Sequence, residues 1–458
     1  MPFGGKIKDA ESYEWGICLA VRYGLNRWAG KWIKIRITIK ITNMSREINT
    51  VAILGGGPAA STLATVLARM GKRPVIFHLA KRTPLVVGES LVPAIIPMLR
   101  MLGVEEQVKS FSTFKPGATV NVGPKVNFSF PFDQLRMSLP KYAYNVPRDK
   151  FDEALLENAK KAGARVIEAA AKAERVPGTD KVRLSEETLK AAGDALSGQP
   201  DFIVDATGRV RLLPRLLELP SREGPRKDTA LFAHVDQTQM DSVGHVHTTR
   251  LDHGWSWRIP LPGRVSVGVV IGTEFLPKFG TTKEERFDNL LKQDSVLCKV
   301  AGEAKRLTPV AEYTNYQLVS SRVVGEGWAL VGDTAGFIDP VFSSGLFIGM
   351  QSAVGLAEAI GKGTTEAFKE YEEHVIHHLK SWHEIVEYYY NGRLFTCFHV
   401  GQMLKDNLLV KLSFPHLNKH FGRIFSGAAS TSPYSLALLR FAMKYGLKNE
   451  DPKEMMIH

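Results

Sequence analysis

The 458-residue chain has no apolar run long enough to span a bilayer, so no transmembrane segment is expected. It has only three cysteines, Cys18, Cys298 and Cys397, far apart and without CxxC spacing. That argues against a disulfide framework and a cysteine metal site, and for a reducing, cytoplasmic compartment. Repeats and low-complexity tracts are absent. The basic N-terminus lacks a long apolar core and a small-residue cleavage site, which speaks against a secretory signal. Acid is in short supply: 59 Lys and Arg stand against 47 Asp and Glu, a net charge of +12. An excess of that size can serve nucleic acid or an anionic surface. Here it is diffuse, no recognition module accompanies it, and residues 1–43 supply +5 of it, so no nucleic-acid partner is expected. The remaining composition, 44% hydrophobic and 23% charged, is ordinary for a globular protein, and the length allows two or three domains.

What is present begins at Val51. The apolar run Val51-Ala52-Ile53-Leu54 reads as a buried parallel strand, broken by Gly55-Gly56-Gly57 and followed by a helical pattern from Ala59 to Met70. This is a G-x-G-x-x-G arrangement with Ala60 at the third glycine. Gly55 permits the tight turn, Gly57 lets a pyrophosphate approach the backbone, and Ala60 allows close helix–strand packing. The helix N-terminus that follows, where Pro58 has no N–H of its own, offers the free N–H groups of Ala59 and its neighbours to phosphate. A second strand is expected at Pro74–Phe77. The acid that holds a ribose about 20 residues after such a turn is missing. His78 stands there instead, either as a hydrogen-bonding substitute or simply as a polar residue at a strand end.

Further along, Lys81–Leu102 shows helical spacing interrupted by Pro93 and Pro97, and Thr113–Phe132 reads as strands. Arg148-Asp149 opens an amphipathic helix with Phe151, Leu155 and Leu156 inward, and Asp201–Asp205 is a buried strand ending in a turn. Residues 228–275 alternate as an antiparallel sheet. Residues 281–306 look helical, Gly327–Gly336 is another strand and turn, and a long helix follows through Gly345–Ala359. From Thr364 the pattern is helical and rich in aromatics. The fold expected is therefore α/β: a Rossmann-like nucleotide-binding domain interleaved with an antiparallel β-sheet substrate domain over residues 44–362, then a helical region over 363–458. Residues 1–43 are expected to be an extension or a mis-assigned start, with Met44 beginning the domain.

Five motifs stand in fixed order: GGGPAA, GESL, PRDKFD, DATGR and GDTAGFIDP. This order resembles the FAD-binding fold of the hydroxybenzoate-hydroxylase type. Two more strings narrow it. Trp255-Ser-Trp257-Arg-Ile259-Pro260 is similar to the WxWxIP signature, and Phe337–Gly345 to the FxxPxxSxG signature, of flavin-dependent halogenases. Lys115, after GESL, sits where those enzymes carry an essential lysine. The chain thus resembles a flavin-dependent halogenase.

The resemblance implies FAD, reduced by a separate flavin reductase, with O2 and chloride or bromide as co-substrates. Hypohalous acid would form beside the flavin and travel to Lys115, which delivers an electrophilic halogen to an aromatic ring. It implies cofactor contacts from Gly55, Gly57, Pro58, Ala59, Ala60, His78, Glu89, Ser90, Arg148, Gly332, Asp333 and Gly345, with Asp333 accepting from the ribityl hydroxyls. It implies halide binding by the backbone amides of Ser344 and Gly345, and a barrier of Trp255 and Trp257 against direct oxygen insertion. Family members that act on tryptophan carry a glutamate just before the motif serine, where this chain has Phe342. The departure, and the string PVFSSG, resemble the phenol-type branch, with a small electron-rich aromatic, free or tethered to a carrier protein, as substrate. Two activities share the FAD motifs and remain alternatives: an aromatic monooxygenase, which needs neither WxWxIP nor Lys115, and a reductase of the geranylgeranyl type.

Overall fold

The computed structural model describes residues 47–458 apart from 80–84, 124–125, 136–137, 225, 241, 315–316, 405 and 448–449. The expectation for residues 1–43, and the first residues of the Lys81–Leu102 stretch, lie outside the described residues.

Thr50–Leu54 is the centre of a six-stranded sheet in the order Val324–Gly325, Trp328–Leu330, Phe202–Asp205, Thr50–Leu54, Arg73–Phe77, Arg165–Ile167. Every junction is parallel except the outermost one, between Val324–Gly325 and Trp328–Leu330. Parallel sheets are covered on both faces, which is why these strands read as unbroken apolar runs. The helix Pro58–Arg69 packs between the helices Arg148–Ala162 and Gly345–Lys362. Its buried residues are mostly small, Ala60, Ser61, Thr62, Ala64 and Thr65 beside Leu63 and Leu67.

The second sheet has seven strands: Ala311–Thr314, Asp228–Val235, Arg264–Gly272, Gly254–Leu261, Val246–Leu251, Gly117–Gly123 and Val126–Pro131. It is antiparallel except where Gly117–Gly123 joins Val246–Leu251 in parallel. That junction departs from the antiparallel expectation because its partners lie far apart in sequence, so no hairpin dictates their direction. Period-two alternation divides the sheet between two cores. Leu231, Ala233, Val267, Val269 and Ile271 face the helix Lys283–Gln293 through Phe287, Leu290 and Leu291. Ala230, Phe232, Trp255, Trp257, Ile259 and Val270 face the nucleotide domain. The chain ends in the helices Thr365–Tyr390, Arg393–Met403, Leu408–Ser426 and Pro433–Tyr445. No helix among the described residues is long and apolar enough to cross a membrane.

Candidate active site

A cavity of ≈ 370 Å³ lies between the carboxyl ends of the parallel strands and the inward face of the second sheet. Its walls bring together Gly55, Gly57, Pro58, Ala59 and Ala60 from the first turn, Glu89 and Ser90, Arg148, Gly332 and Asp333, the tryptophans 255 and 257, and Gly345. These come from six separate motifs, and the crevice beyond the strand ends is where open α/β sheets bind ligands.

The glycines differ in what they are for. Gly55 has φ +111°, and a Cβ there would lie 2.4 Å from the Ala206 carbonyl oxygen, so the fold itself demands glycine. At Gly57 and Gly345 a Cβ would meet no protein atom within 4 Å, and neither has a positive φ. Nothing in the protein requires glycine at these two wall positions, which fits a flat ligand pressed against the backbone. Gly57 is also the N-cap of Pro58–Arg69, offers no capping side chain, and is followed by no acid in the first turn. The leading N–H groups therefore face the cavity end without a side-chain acceptor, as a pyrophosphate needs. The cavity fits FAD on these grounds, and among the described residues no cluster of three or more His, Cys, Asp or Glu side chains could hold a metal ion.

Charge in the walls is balanced by position. Arg148 pairs with Asp152 (Nε to Oδ1, 2.9 Å) and donates from Nη1 to the Val87 carbonyl. Burial would lower its pKa, but the carboxylates of Asp152, Asp333 and Glu89 outweigh that and hold it above the ordinary value. Asp333 is lifted to about 6 by burial, against the opposing pull of Arg148 and Arg209. Glu89 Oε1 lies 2.7 Å from His234 Nε2, and Arg264 Nε donates to His234 Nδ1 at 3.1 Å. Since Nδ1 accepts, Nε2 carries the proton and donates to Glu89.

The tryptophans sit at i and i+2 of Gly254–Leu261, on one face, with ring centroids 5.6 Å apart. Trp257 lies against Gly268, where a Cβ would fall 2.1 Å from its ring, and donates to Ser266 Oγ at 3.3 Å. Trp255 Nε1 donates to Tyr390 OH at 3.0 Å, and Tyr390 OH donates to Asp339 Oδ2 at 2.8 Å. Asp339 Oδ1 in turn accepts from the Val341 amide. One chain of hydrogen bonds thus ties the second sheet, a C-terminal helix and the Pro340–Gly345 turn together. In that turn Ser343 is left-handed at φ 56° and lines the cavity. Ser344 caps Gly345–Lys362 by backbone only, and is buried behind the wall rather than on it. The first amides of that helix have no intrahelical partners.

Lys115 ends the short strand Thr113–Lys115 and is only 1% exposed, not the solvated loop residue a lone lysine usually is. It is not on the cavity wall; Ser90 is, and Lys115 stands behind it. Its Nζ donates to Ser90 Oγ at 2.8 Å and to the Leu91 carbonyl at 2.7 Å, with the Phe132 ring centroid 5.5 Å away. Burial pulls its pKa down to about 7. A neutral amine has two N–H donors; both are engaged here, and the lone pair is left over. His78 is likewise off the wall: its ring lies over Gly56, where a Cβ would fall 2.4 Å from Nδ1.

Phe342 lies within 5.7–6.1 Å, centroid to centroid, of Tyr389, Phe425 and Trp382. Phe425 stacks on Phe130 at 3.7 Å, so aromatic packing runs from the Pro340–Gly345 turn to the strand Val126–Pro131. Sequence reasoning missed several wall residues and their supports. Arg209, over the Tyr313 ring at 3.9 Å, follows directly on the DATG turn and could have been read there. His234 shares strand parity with Phe232, an inward signal. Tyr390 belongs to the aromatic-rich C-terminal helices, but its contact with Trp255, 135 residues away, carries no local signal.

Comparison with known proteins adds the following. The tryptophan halogenase family model matches residues 50–135 and 126–398. The chain is 30% identical over 393 residues to a chlorinase of 1H-pyrrole-2-carbonyl attached to a peptidyl-carrier protein, from Pseudomonas fluorescens, covering 78% of this chain and 86% of that one. It is 29% identical over 371 residues to a tryptophan 2-halogenase of Chondromyces crocatus, covering 77% and 70%. Its fold matches the solved flavin-dependent brominase Bmp2 with a TM-score of 0.72 at 21% identity, over 87% of this chain and 98% of that one.

Proposed function

Since the chain belongs to the flavin-dependent halogenase family, and is thereby an FAD-dependent oxidoreductase that uses halide and O2, we propose that it halogenates an electron-rich, phenol-like ring through Lys115. When bound, reduced FAD supplies the chemistry that oxidises halide with O2 to hypohalous acid. The chain's own residues do the rest. The N–H groups at the start of Pro58–Arg69 hold the pyrophosphate, Asp333 accepts from the ribityl hydroxyls, and Arg148 steadies the wall beside it. Gly345 and Ser344 offer amides to the halide. Trp255 and Trp257, fixed by Ser266 and Tyr390, exclude the organic substrate from the flavin and so prevent direct oxygen insertion. The Lys115 amine takes the halogen from hypohalous acid, releasing water, and passes it to the ring, whose displaced proton leaves. A separate flavin reductase completes the system, because the one dinucleotide-type turn is taken by FAD. Residues 44–362 carry the flavin and the sheet, and 363–458 cover the substrate side.

The observation that carries the substrate class is Phe342. Packed among Trp382, Tyr389 and Phe425, it brings no carboxylate to the position that would activate an indole. A phenol supplies its own activation; the pyrrole ring named for the Pseudomonas relative likewise carries a ring heteroatom that donates electron density. The test is a panel of phenols, pyrroles and indoles with FAD, reductase, NADH and bromide. Phenols or pyrroles should be brominated at least tenfold faster than tryptophan. Preferential bromination of tryptophan would reverse the assignment.

A further inference from the structure

A second cavity, of ≈ 880 Å³, lies between the turn after Phe132 and the helix Leu408–Ser426. Neither the family motifs nor the flavin chemistry uses it. Its lining carries Lys141, His416, Lys419 and Arg423 against a single acid, Asp133. Lys141, Lys419 and Arg423 make no ion pair with a described residue; Arg423 reaches only Thr431 Oγ1, at 3.5 Å. Nearby His420 is held below its ordinary pKa by burial and then by the positive charge of His416, Arg423 and Lys419. Concentrated, unpaired cations around a concave surface favour an anion.

The cavity is tied to the reacting end of the enzyme. Asp133 in its lining is one residue past Phe132, whose ring lies 5.5 Å from Lys115 Nζ and whose amide donates to the Pro116 carbonyl at 2.8 Å. Its other wall is fixed to the same turn, since Gly422 leaves room for Leu135: a Cβ there would fall 2.8 Å from Leu135 Cδ2. The cations stand at the rim. Lys141, His416 and Lys419 are exposed, and Leu412 beside them is 71% exposed. A small free acid is held by buried cations inside a closed pocket; a rim of exposed cations with an exposed leucine suits a charged arm attached to an acidic surface.

Resting on the halogenase reading, we infer that this cavity docks a carrier protein, taking the phosphodiester of its phosphopantetheine arm at Lys141, Lys419 and Arg423 so that the arm's thioester-borne ring points toward Lys115. Carrier proteins are acidic, the complement of this rim.

The probe is a labelled, phosphopantetheinylated peptidyl-carrier protein loaded with pyrrole-2-carboxylate, its binding to the full chain read by fluorescence anisotropy. The Lys419→Glu/Arg423→Glu pair, and separately Lys141→Glu, should weaken binding at least tenfold, while FAD affinity and bromination of a free phenol stay unchanged. The same carrier without its arm should bind more weakly than the armed form. Equal binding by variant and wild-type chains, equal binding of the carrier with and without its arm, or no binding to wild type would each overturn the proposal. So would a variant that loses free pyrrole-2-carboxylate and keeps the carrier, which would assign the cavity to a small acid. Charge-dependent binding with no halogenated product from any substrate would instead sink the halogenase reading and leave the docking site standing.

Discussion

Lys115, behind the cavity wall, and Asp333, on it, are the two site residues whose protonation the fold sets nearest to working pH. Burial holds Lys115 at about 7, below its free value, so its amine form is populated above that pH and depleted as pH falls. Halogen transfer in a single turnover should therefore fall about tenfold per pH unit below 7. A rate flat from pH 6 to 8 would show that the ammonium, not the amine, is used. Lys115→Met should keep FAD binding and O2 uptake with reduced flavin, yet lose product by orders of magnitude; wild-type bromination would remove Lys115 from the mechanism. For Asp333 the sign is the reverse: its carboxyl, lifted to about 6, is protonated and loses its acceptor role as pH drops through that value. FAD affinity, followed by flavin fluorescence, should be level at pH 7–8 and decline below 6, and Asp333→Asn should be weak and pH-independent. The lysine was legible in the sequence only through resemblance. Its burial was not, because no periodicity marks a three-residue strand and the Ser90 contact spans 25 residues.

At the scale of elements, the strand–turn–helix at Val51–Arg69 and the strand with the tryptophans were readable because each is periodic or apolar over its whole length. The parallel junction of Gly117–Gly123 with Val246–Leu251 was not, since strand direction across a sheet depends on distant partners. The helix Gly345–Lys362 offers a test that separates stability from function. Gly345 has no protein neighbour for a Cβ, so Gly345→Ala should leave the fold intact or stabilise it by up to about 1 kcal/mol through helix propensity. The same methyl group would enter the cavity, and FAD affinity should drop at least tenfold. Thermal melting beside flavin titration reads both; parallel loss of Tm and affinity would mean that Gly345 serves packing instead. Gly268→Ala is the contrast: its Cβ collides with Trp257, and overpacking of this kind costs about 1–3 kcal/mol.

At the scale of the molecule, one sheet presents a nucleotide-type turn, the other presents two tryptophans, and the C-terminal helices reach both through Tyr390. That interleaving was legible from the order of the motifs. The hydrogen-bond chain Trp255–Tyr390–Asp339 that locks it was not, because it joins three elements scattered over 135 residues. Since the six strands of the sheet around Thr50–Leu54 all lie after Met44, the chain begun at Met44 should bind FAD as tightly as the full chain; insoluble or flavin-free protein would count against that. The central claim is that this assembly moves halogen, not oxygen, onto a ring. Its most direct test is the mass of the product formed by the whole enzyme with reduced FAD, O2, bromide and a phenol. A product in which one hydrogen is replaced by bromine, with its paired isotope pattern, and which is absent when bromide is omitted, is the predicted result. A hydroxylated product that forms with or without bromide would contradict it.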